Sequence, residues 1–443
     1  MFGARGAHGR LRATLGLLYV VLAAAVGLMW LVEAIPPARD ALAGPAWDLK
    51  ADHLTARAYL RGVNPYSAQG AVASGLAALG PSGNGHPPTT SFWILPLAGL
   101  DVRTANTVLA WITILLLLIE IGVTMHVLRY PAPVATAWLA LGFVLSCSFM
   151  TYHFGVGQLS GVIGFFYFVG WRAARRGEDV LAGLALGAAC TMKLFPGVVI
   201  ILFLMMRRWR AVIAAGAVYL AIAASMTARF GVVSWRQFAA RQGPIADLWM
   251  GSIQNQSIHG VLSHLFHPVC VGGPSPVLRS ATAIALLVSA GLLGLSGWLA
   301  WRTAGTNGFD VSYALFVVLS VVTSQWTWEH YAIIYVLPIL ILGATLARAW
   351  REKRRPASAA VLMAWLMAVV VSWRVSIQTK SALQASVQRG HTGDHLKLHL
   401  YELLNWTPGI VLLILLLVAC RWTDSAALDP PRHTGEPRPV HAA

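Results

Sequence analysis

The sequence predicts an all-α polytopic membrane protein with about 12 transmembrane helices in one integral membrane domain. The 443 residues are 57% hydrophobic and only 11% charged, and the mean hydropathy is +0.64. A soluble domain carries roughly 25% charged residues. The apolar residues also come in runs of about 17–25, which is the length that an α-helix needs to cross the hydrocarbon core of a bilayer. Composition and run length together exclude an ordinary soluble domain.

The positive charge has the pattern of a membrane protein. The formal net charge is +16, but Lys and Arg stand singly or in short clusters at the ends of apolar runs. That distribution is typical of cytoplasmic loops, and such clusters also attract anionic lipid head groups. We therefore predict no nucleic-acid partner. The four cysteines form no C-x-x-C pair, so neither a metal site nor a disulfide framework is indicated.

The first predicted helix covers about 14–34 and is not a cleaved leader, because its apolar run exceeds the roughly 7–15 residues of a signal peptide. The basic residues before it place its start in the cytoplasm, so the segment 35–103 lies outside. Within this first outer loop, 51–61 and 70–79 are predicted as short interfacial helices.

The rest of the chain supplies the other predicted crossings. They are 104–128, 133–150, 155–172, 180–206 as two short helices, 211–228, 277–300, 309–325, 331–347, 357–373 and 408–420. The stretch 180–206 is divided at Lys193 and Pro196, because the arginines that follow it belong on the cytoplasmic side. The segments 229–276 and 374–406 become outer loops, and Phe92–Leu100 is too short to span. Both termini are then cytoplasmic.

Unusual polar clusters fall on the predicted outer face, although they are scattered along the chain. They are Asp48 with Asp52, Tyr152-His153, Gln158, Lys193, Asn255-Gln256-Ser257 and Glu329-His330. Polar groups at membrane depth are costly and usually functional. We therefore predict a single site at the outer boundary of the membrane, reached from both water and lipid.

The charged candidates have a functional and a structural interpretation. Asp48 or Asp52 is suited to act as a general base or to bind a divalent ion, although Asp-x-x-x-Asp without further acids is a weak metal pattern. Otherwise these acids only solvate the loop. Lys193 is either a point charge on a phosphate or a lysine whose ammonium extends to the interface. His330, beside Glu329, either binds phosphate or orients a hydroxyl, or is structural.

The amide candidates also carry two interpretations. Gln158 lies between Gly157 and Gly161, a G-x-x-x-G spacing that permits close helix packing, whereas a buried amide suggests ligand binding. Asn255 and Gln256 are suited to hydrogen-bond sugar hydroxyls, or they form a polar turn. The sequence contains no nucleotide-binding or nucleophile-elbow motif in a usable context, so an activated lipid donor is the expected energy source.

Several short pieces carry a family resemblance. They are Asp48-Leu49, Leu60-Arg61-Gly62, Asn64-Pro65-Tyr66, Gly157-Gln158, Ala182-Gly183, Lys193-Leu194-Phe195-Pro196, Asn255-Gln256-Ser257-Ile258 with Gly260, and Trp328-Glu329-His330 to Pro338. In order and spacing the chain resembles polytopic glycosyltransferases of the GT-C class, specifically glycosyltransferase family 87. Members of that family are similar to bacterial polyprenyl-phosphate-mannose-dependent α-1,2-mannosyltransferases and related arabinofuranosyltransferases.

The resemblance implies roles for individual residues. Asp48 matches the acid of the first outer loop that is taken as the catalytic base, and Lys193 and His330 match positions near the donor phosphate. The remaining candidates for substrate binding are Asp52, Gln158, Asn255, Gln256, Glu329 and Tyr66. The sequence departs from the family at Asp52, where an aromatic residue is frequent. It departs again in a usually Pro-rich aromatic stretch, which here reads His86-Pro87-Pro88-Thr89-Thr90-Ser91-Phe92.

The resemblance also implies an activity and a location. We expect an inverting transferase that moves a sugar, mannose before arabinofuranose, from a polyprenyl-phosphate donor to a glycolipid or glycan hydroxyl outside the bacterial inner membrane. No cofactor is expected, and a divalent metal is not favoured. A GT-C-like catalytic module at 14–276 would include the first outer loop with its interfacial helices, followed by transmembrane helices at 277–421 and a disordered cytoplasmic tail at 422–443.

Two other classes of function predict different patterns. A flippase or transporter of lipid-linked sugars needs functional polar residues along a path through the membrane, on both faces. A structural scaffold for envelope assembly would depend on no single acid. The grouping of polar clusters on one predicted face favours the enzyme.

Overall fold

The computed structural model describes residues 3–80, 84–249, 255–266, 276–303, 308–353, 356–388 and 408–422. Within those ranges every regular element is a helix, so the predicted all-α class is confirmed. The α-helices are α1 Gly3–Leu42, α2 Trp47–Arg61, α3 Ala68–Ser74, α4 Thr90–Ile94, α5 Val102–Val127, α6 Pro133–Leu145, α7 Ser148–Val156, α8 Ser160–Arg175, α9 Asp179–Met192, α10 Gly197–Met205, α11 Trp209–Phe230, α12 Val232–Trp249, α13 Ile258–Phe266, α14 Pro276–Thr303, α15 Phe309–Val322, α16 Val336–Arg351, α17 Pro356–Gln388 and α18 Pro408–Trp422. Short 3-10 helices cover Leu76–Leu79, Leu95–Leu97 and Glu329–Tyr335.

Six described helices are long and apolar enough to cross a membrane, and the pair α6 and α7, joined at a bend of 63°, would add a seventh. The six are Ala13–Leu42, Val102–Val127, Trp209–Phe230, Arg279–Arg302, Glu329–Arg351 and Pro356–Trp373. Helices α9, α15 and α18 are apolar but shorter. At about 1.5 Å per residue, a 14-residue helix such as α9 extends roughly 21 Å, less than the ~30 Å hydrocarbon core. The chain is a multi-pass helical membrane protein, and the predicted count of about 12 crossings is not confirmed.

The segment 35–103, predicted to lie outside the membrane, folds largely as expected. Short helices α2 and α3 form there, and the apolar stretch after them is divided between α4 and a 3-10 turn, so it does not span. The chain also breaks between α9 and α10, where the sequence analysis divided the apolar run at Lys193 and Pro196.

Three segments are more helical than predicted. Helix α1 continues to Leu42 with Pro36 and Pro37 inside it, and its last turn packs on α7. Helices α12 and α13 occupy much of the segment 229–276, and α17 extends to Gln388. Apolar run length detects spanning helices, whereas an amphipathic helix at a surface contains no such run. The rest of the predicted outer loop 374–406 and all but Trp422 of the predicted tail 422–443 lie outside the described residues.

Helix α15 forms the centre of the bundle, and all its residues from Val311 to Val322 are buried. The Tyr313 hydroxyl donates to the Tyr167 carbonyl oxygen at 2.8 Å, which ties α15 to α8. A continuous set of buried apolar residues runs from Ala34 in α1 to Cys420 in α18. Residues on both sides of the predicted module boundary at 276 therefore share one core, and that boundary stays a prediction.

Helices α9 and α11 approach so closely that glycine is required between them. A Cβ on Gly187 would lie 2.5 Å from the Ala215 carbonyl oxygen, and a Cβ on Gly183 would also meet the Ala211 carbonyl. Small residues four apart allow this kind of contact between membrane helices. The contact fixes α9 laterally, and thereby fixes the break at its end that contains Lys193.

We predict that Gly187→Ala lowers the melting temperature of the purified protein, whereas Gly216→Ala leaves it unchanged or raises it. Alanine has the better helix propensity by about 1 kcal/mol, but overpacking costs about 1–3 kcal/mol and only Gly187 faces a backbone oxygen. A Cβ on Gly216 meets no atom within 4 Å. Thermal unfolding in detergent would measure the difference, and equal melting temperatures would contradict the close helix contact.

Candidate active site

A cavity of about 450 Å³ lies between α2, α7, α12 and the segment that precedes α16. Asp48, Gln158, Lys193 and His330, four of the residues that the sequence analysis selected, line this cavity together. They come from a helix start, two helix breaks and a 3-10 helix, respectively. The prediction that these separated positions form one site is therefore supported by their placement, while their individual roles stay predictions.

Asp48, Gln158 and Lys193 form a hydrogen-bonded row along the cavity wall. Gln158 Nε2 donates to Asp48 Oδ2, and Lys193 Nζ donates to Gln158 Oε1 at 2.8 Å. Lys193 Nζ also donates to the Tyr331 hydroxyl oxygen at 2.7 Å. With 7% of its surface exposed, Lys193 does not extend to the interface as a surface lysine would. The amide of Gln158 links the carboxylate to the ammonium without direct contact between them.

Burial changes the protonation of Lys193, which lies in the break between α9 and α10. Desolvation lowers the pKa of its ammonium to about 8, although the nearby carboxylates of Asp48 and Asp52 oppose that shift. The charged form of a buried lysine is disfavoured unless anions compensate for the lost water. Lys193 is therefore mostly charged at neutral pH, but it loses its proton at a lower pH than an exposed lysine.

Gly157 determines where Gln158 lies. Its φ of 70° is in the left-handed region, and a Cβ there would lie 2.6 Å from Leu49 Cβ and 2.9 Å from Asn106 Oδ1. Glycine is the residue that tolerates both the dihedral and the contact. The break between α7 and α8 can therefore approach α2, next to Asp48. A Cβ on Gly161 would lie 2.5 Å from Thr113 Cγ2, so the predicted packing role of the two glycines is supported.

Asp52 and Tyr66 lie behind the cavity wall and contact His86, which lines it. His86 Nδ1 is 2.9 Å from both carboxylate oxygens of Asp52, and Asn84 Nδ2 donates to Asp52 Oδ1 at 3.2 Å. The Tyr66 hydroxyl donates to the His86 carbonyl oxygen at 3.1 Å. Burial, and then the Asp52 charge, raise the pKa of Tyr66 well above its ordinary value, so the hydroxyl keeps its proton.

The sequence analysis did not select His86 as a site residue. The available signal was the position of His86 in a stretch that departs from the family pattern. Asp52 gave the complementary signal, because it stands where an aromatic residue is frequent. Neither signal shows that the two side chains meet, since the pair depends on how the loop after α3 folds back onto α2.

Asn255 shapes the cavity from behind rather than lining it. It is fully buried, and its Oδ1 accepts from the backbone N–H groups of Thr327 at 2.9 Å and Ser257 at 3.1 Å. The backbone N–H of Gln256 donates to the Thr327 carbonyl oxygen at 2.6 Å. These bonds hold the loop that precedes the 3-10 helix. The sugar-binding roles of Asn255 and Gln256 stay predictions.

The 3-10 helix Glu329–Tyr335 carries two candidates in different settings. Glu329 Oε1 accepts from the Ser148 hydroxyl at 2.5 Å and joins this helix to α7; Glu329 is not a lining residue. His330 is 1% exposed, and within the described residues neither of its ring nitrogens has a hydrogen-bond partner. Buried polar atoms are normally paired, so a ligand in the cavity is the natural partner for His330.

Aromatic side chains form the rest of the wall. Trp47, Trp249, Trp326 and Trp328 line the cavity together with Tyr152, and the rings of Trp249 and Trp328 meet edge to face at 5.4 Å. Tryptophan is frequent at interfaces, so composition gave no signal that these rings belong to the cavity.

The two acids of α2 have different partners, Gln158 for Asp48 and His86 for Asp52. Among the residues described, no group of three or more His, Cys, Asp or Glu side chains is arranged to hold a metal ion. The expectation that no metal is required stays a prediction.

Comparison with known proteins gives a family and two relatives. The model of glycosyltransferase family 87 matches residues 85–325, more than half of the chain. A polyprenol-phosphate-mannose-dependent alpha-(1-2)-phosphatidylinositol pentamannoside mannosyltransferase from Mycolicibacterium smegmatis is 30% identical over 168 residues, which cover 36% of this chain and 37% of the relative. A polyprenol-phosphate-mannose-dependent alpha-(1-2)-phosphatidylinositol mannoside mannosyltransferase from the same organism is 26% identical over 283 residues, which cover 59% of this chain and 62% of the relative.

The matches leave part of each protein uncovered. The chain spans less than two thirds of the length of either relative, and no solved structure matches it. Gln158, Lys193, Asn255 and Gln256 fall inside the segment that the family model matches, as does His86, whereas the site residues near 48 and 330 fall outside it.

We predict that Gln158→Leu lowers the melting temperature, because the Lys193 ammonium and the Asp48 carboxylate lose their common partner. Leaving a buried polar group unsatisfied costs about 1–3 kcal/mol. Gln69→Leu, on the exposed face of α3, is the matched control and should have no effect. Thermal unfolding of both variants would show whether the amide stabilises the row, and an unchanged melting temperature for Gln158→Leu would rule that out.

Proposed function

Because the chain belongs to glycosyltransferase family 87, we propose that it transfers a sugar from a polyprenyl-phosphate carrier to a hydroxyl of a glycolipid or glycan. The observation that carries this proposal is the shared cavity of Asp48, Lys193 and His330, which offers an acid and two nitrogen-bearing side chains to one ligand. The named activities of both relatives favour mannose as the sugar and a phosphatidylinositol mannoside as the acceptor.

In the proposed reaction Asp48 acts as the general base. The acceptor hydroxyl attacks the anomeric carbon of the donor and gives its proton to the Asp48 carboxylate. The bond between the anomeric carbon and the phosphate oxygen breaks, and its electron pair stays on that oxygen. Attack from the side opposite the phosphate inverts the anomeric configuration. Asp48 is half-buried in the first turn of α2, where a carboxylate is favoured by the helix dipole.

Lys193 and His330 stabilise the leaving phosphate. The lost bond leaves an additional negative charge on the phosphate, and donors already in place at that point lower the barrier. Lys193 is held by Gln158 and Tyr331, so its ammonium needs little reorganisation. Among the described residues no group pairs with the ring nitrogens of His330, which leaves its ring N–H to donate to the phosphate. The tryptophans that line the cavity would contact the apolar faces of the sugar rings.

We further propose that the site faces the outside of a bacterial inner membrane. Helix α9 supports this orientation, because Arg208 pairs with Asp179 at its start, at 3.4 Å, and Lys193 follows its other end. Arg175 pairs with Asp310 near the same end as Arg208, at 3.4 Å. Basic residues concentrate on the cytoplasmic side of membrane proteins. The cavity would then lie at the outer boundary, where a lipid-linked donor can enter from the bilayer.

We predict that Asp48→Asn lowers the rate of transfer by about a hundredfold or more but preserves binding of the lipid donor. Asparagine keeps the size of the side chain and its contact with Gln158, but it cannot take a proton. Asp40→Asn, at an exposed acid near the end of α1, is the matched control and should keep full activity. An in vitro assay with purified protein and polyprenyl-phosphate mannose would measure the rate; full activity in Asp48→Asn would refute the assignment.

We predict that kcat/KM falls as the pH rises through about 8, because Lys193 loses its charge there. The profile of kcat/KM reports groups of the free enzyme. In Lys193→Arg the decrease should move to higher pH, since a guanidinium stays protonated above pH ~12, even if the maximal rate is lower. Profiles of both proteins between about pH 6 and 10 would test this. An identical alkaline decrease in the variant would assign it to another group.

A further inference from the structure

His86 is held in place from three sides, although the proposed reaction gives it no role. Its ring Nδ1 lies 2.9 Å from both oxygens of Asp52. Its backbone N–H donates to Asn84 Oδ1 at 2.8 Å, and its carbonyl oxygen accepts from the Tyr66 hydroxyl at 3.1 Å. The contacts restrain both backbone groups and one ring nitrogen. They leave Nε2 as the ring nitrogen available to a ligand in the cavity.

Asp52 is a buried carboxylate that is paired with the His86 ring. It is 3% exposed, and a buried carboxylate is costly unless it is paired and hydrogen-bonded. Its partners are His86 and Asn84, and Asn84 Nδ2 is in turn 2.7 Å from Thr55 Oγ1. A carboxylate on one ring nitrogen fixes the orientation of an imidazole and stabilises its charged form. The buried Asp52 carboxylate thus orients a side chain that lies at the cavity surface.

The pairing of the polar side chains around the cavity is suited to the binding of an anion. Asp48 is linked to Lys193 through Gln158, and Asp52 is paired with His86, whereas the ring nitrogens of His330 have no hydrogen-bond partner among the described residues. His330 lines the same cavity as Lys193 and His86. An anion that entered this cavity would therefore meet three nitrogen-bearing side chains together.

We propose that His86 is a further phosphate-binding residue of this cavity and that Asp52 is its positioning residue. The inference rests on the proposed function and extends it. The ligand group is a phosphate ester, which the cavity could receive either from the polyprenyl-phosphate donor or from the head group of a phospholipid acceptor. His86 Nε2–H donates a hydrogen bond to a phosphate oxygen and keeps its proton throughout, while Asp52 acts only through the His86 ring.

The test measures lipid binding to the full-length protein in nanodiscs. The probes are a polyprenyl monophosphate, phosphatidylinositol, and the uncharged polyprenol as a control ligand. His86→Ala should weaken binding of a phosphate-bearing probe by about tenfold or more, the value expected for losing a charge-assisted hydrogen bond. Asp52→Asn should weaken binding of the same probe by a smaller factor. Neither variant should change the affinity for polyprenol.

Further variants separate binding from folding. His126→Ala removes an exposed histidine at the end of α5 and should leave all three affinities unchanged. If His86→Ala fails to fold, as judged by thermal unfolding, His86→Gln is measured instead, because glutamine retains an N–H donor but not the charge. His86→Gln should weaken binding of the phosphate-bearing probes by less than the factor expected for His86→Ala. It should leave the affinity for polyprenol unchanged.

The outcomes distinguish this inference from the proposed function. A loss confined to polyprenyl monophosphate assigns His86 to the donor phosphate, and a loss confined to phosphatidylinositol assigns it to the acceptor. Unchanged binding of both probes by the His86 variants, or an equal loss for polyprenol, overturns the role of His86 while the transferase proposal stands. If the native protein binds no polyprenyl monophosphate, the proposed function fails and the inference fails with it.

Discussion

The candidate site depends on a buried lysine whose ammonium needs hydrogen bonds from protein groups in place of water. Lys193 lies in a break between two apolar helices, with the Gln158 carbonyl oxygen and the Tyr331 hydroxyl as its hydrogen-bond partners. An ammonium without such partners would be expelled or neutralised at this depth. Gln158 in turn donates a hydrogen bond to Asp48. One requirement, satisfying a buried cation, therefore brings together the start of α2, the break after α7 and the break after α9.

Backbone geometry makes that row possible. Gly157 has a φ of 70° and lies against Leu49 and Asn106, which lets Gln158 reach the start of α2. Gly183 and Gly187 bring α9 onto α11, which fixes the helix end that precedes Lys193. None of these three glycines lines the cavity. They set distances between helices, and in a membrane bundle small residues achieve this because they allow backbones to approach closely.

A second polar unit, Asp52 with His86, lies beside the row of Asp48, Gln158 and Lys193. It also combines an acid with a nitrogen-bearing side chain, but here the acid is the buried partner. A buried carboxylate holds an imidazole at the cavity surface, whereas a carboxylate at the cavity surface accompanies a buried ammonium in the first unit. The resemblance predicts a departure from the family pattern at both positions, and the structure brings the two side chains into contact. Together with His330, the two units place Asp48, Gln158, Lys193 and His86 on the wall of one cavity, with Asp52 behind it, where the proposed phosphate and sugar would bind.

The sequence by itself determined the all-α membrane class, the approximate positions of the helices and the residues Asp48, Gln158, Lys193 and His330, because apolar run length and isolated polar residues are local signals. It did not indicate that His86 belongs to the site, that Asn255 holds a backbone loop, or that the tryptophans near 328 line the cavity. Those features result from contacts between residues far apart in the chain. Only the tertiary structure decided them, since the packing of α2, α7, α12 and the 3-10 helix determines which polar groups share a cavity.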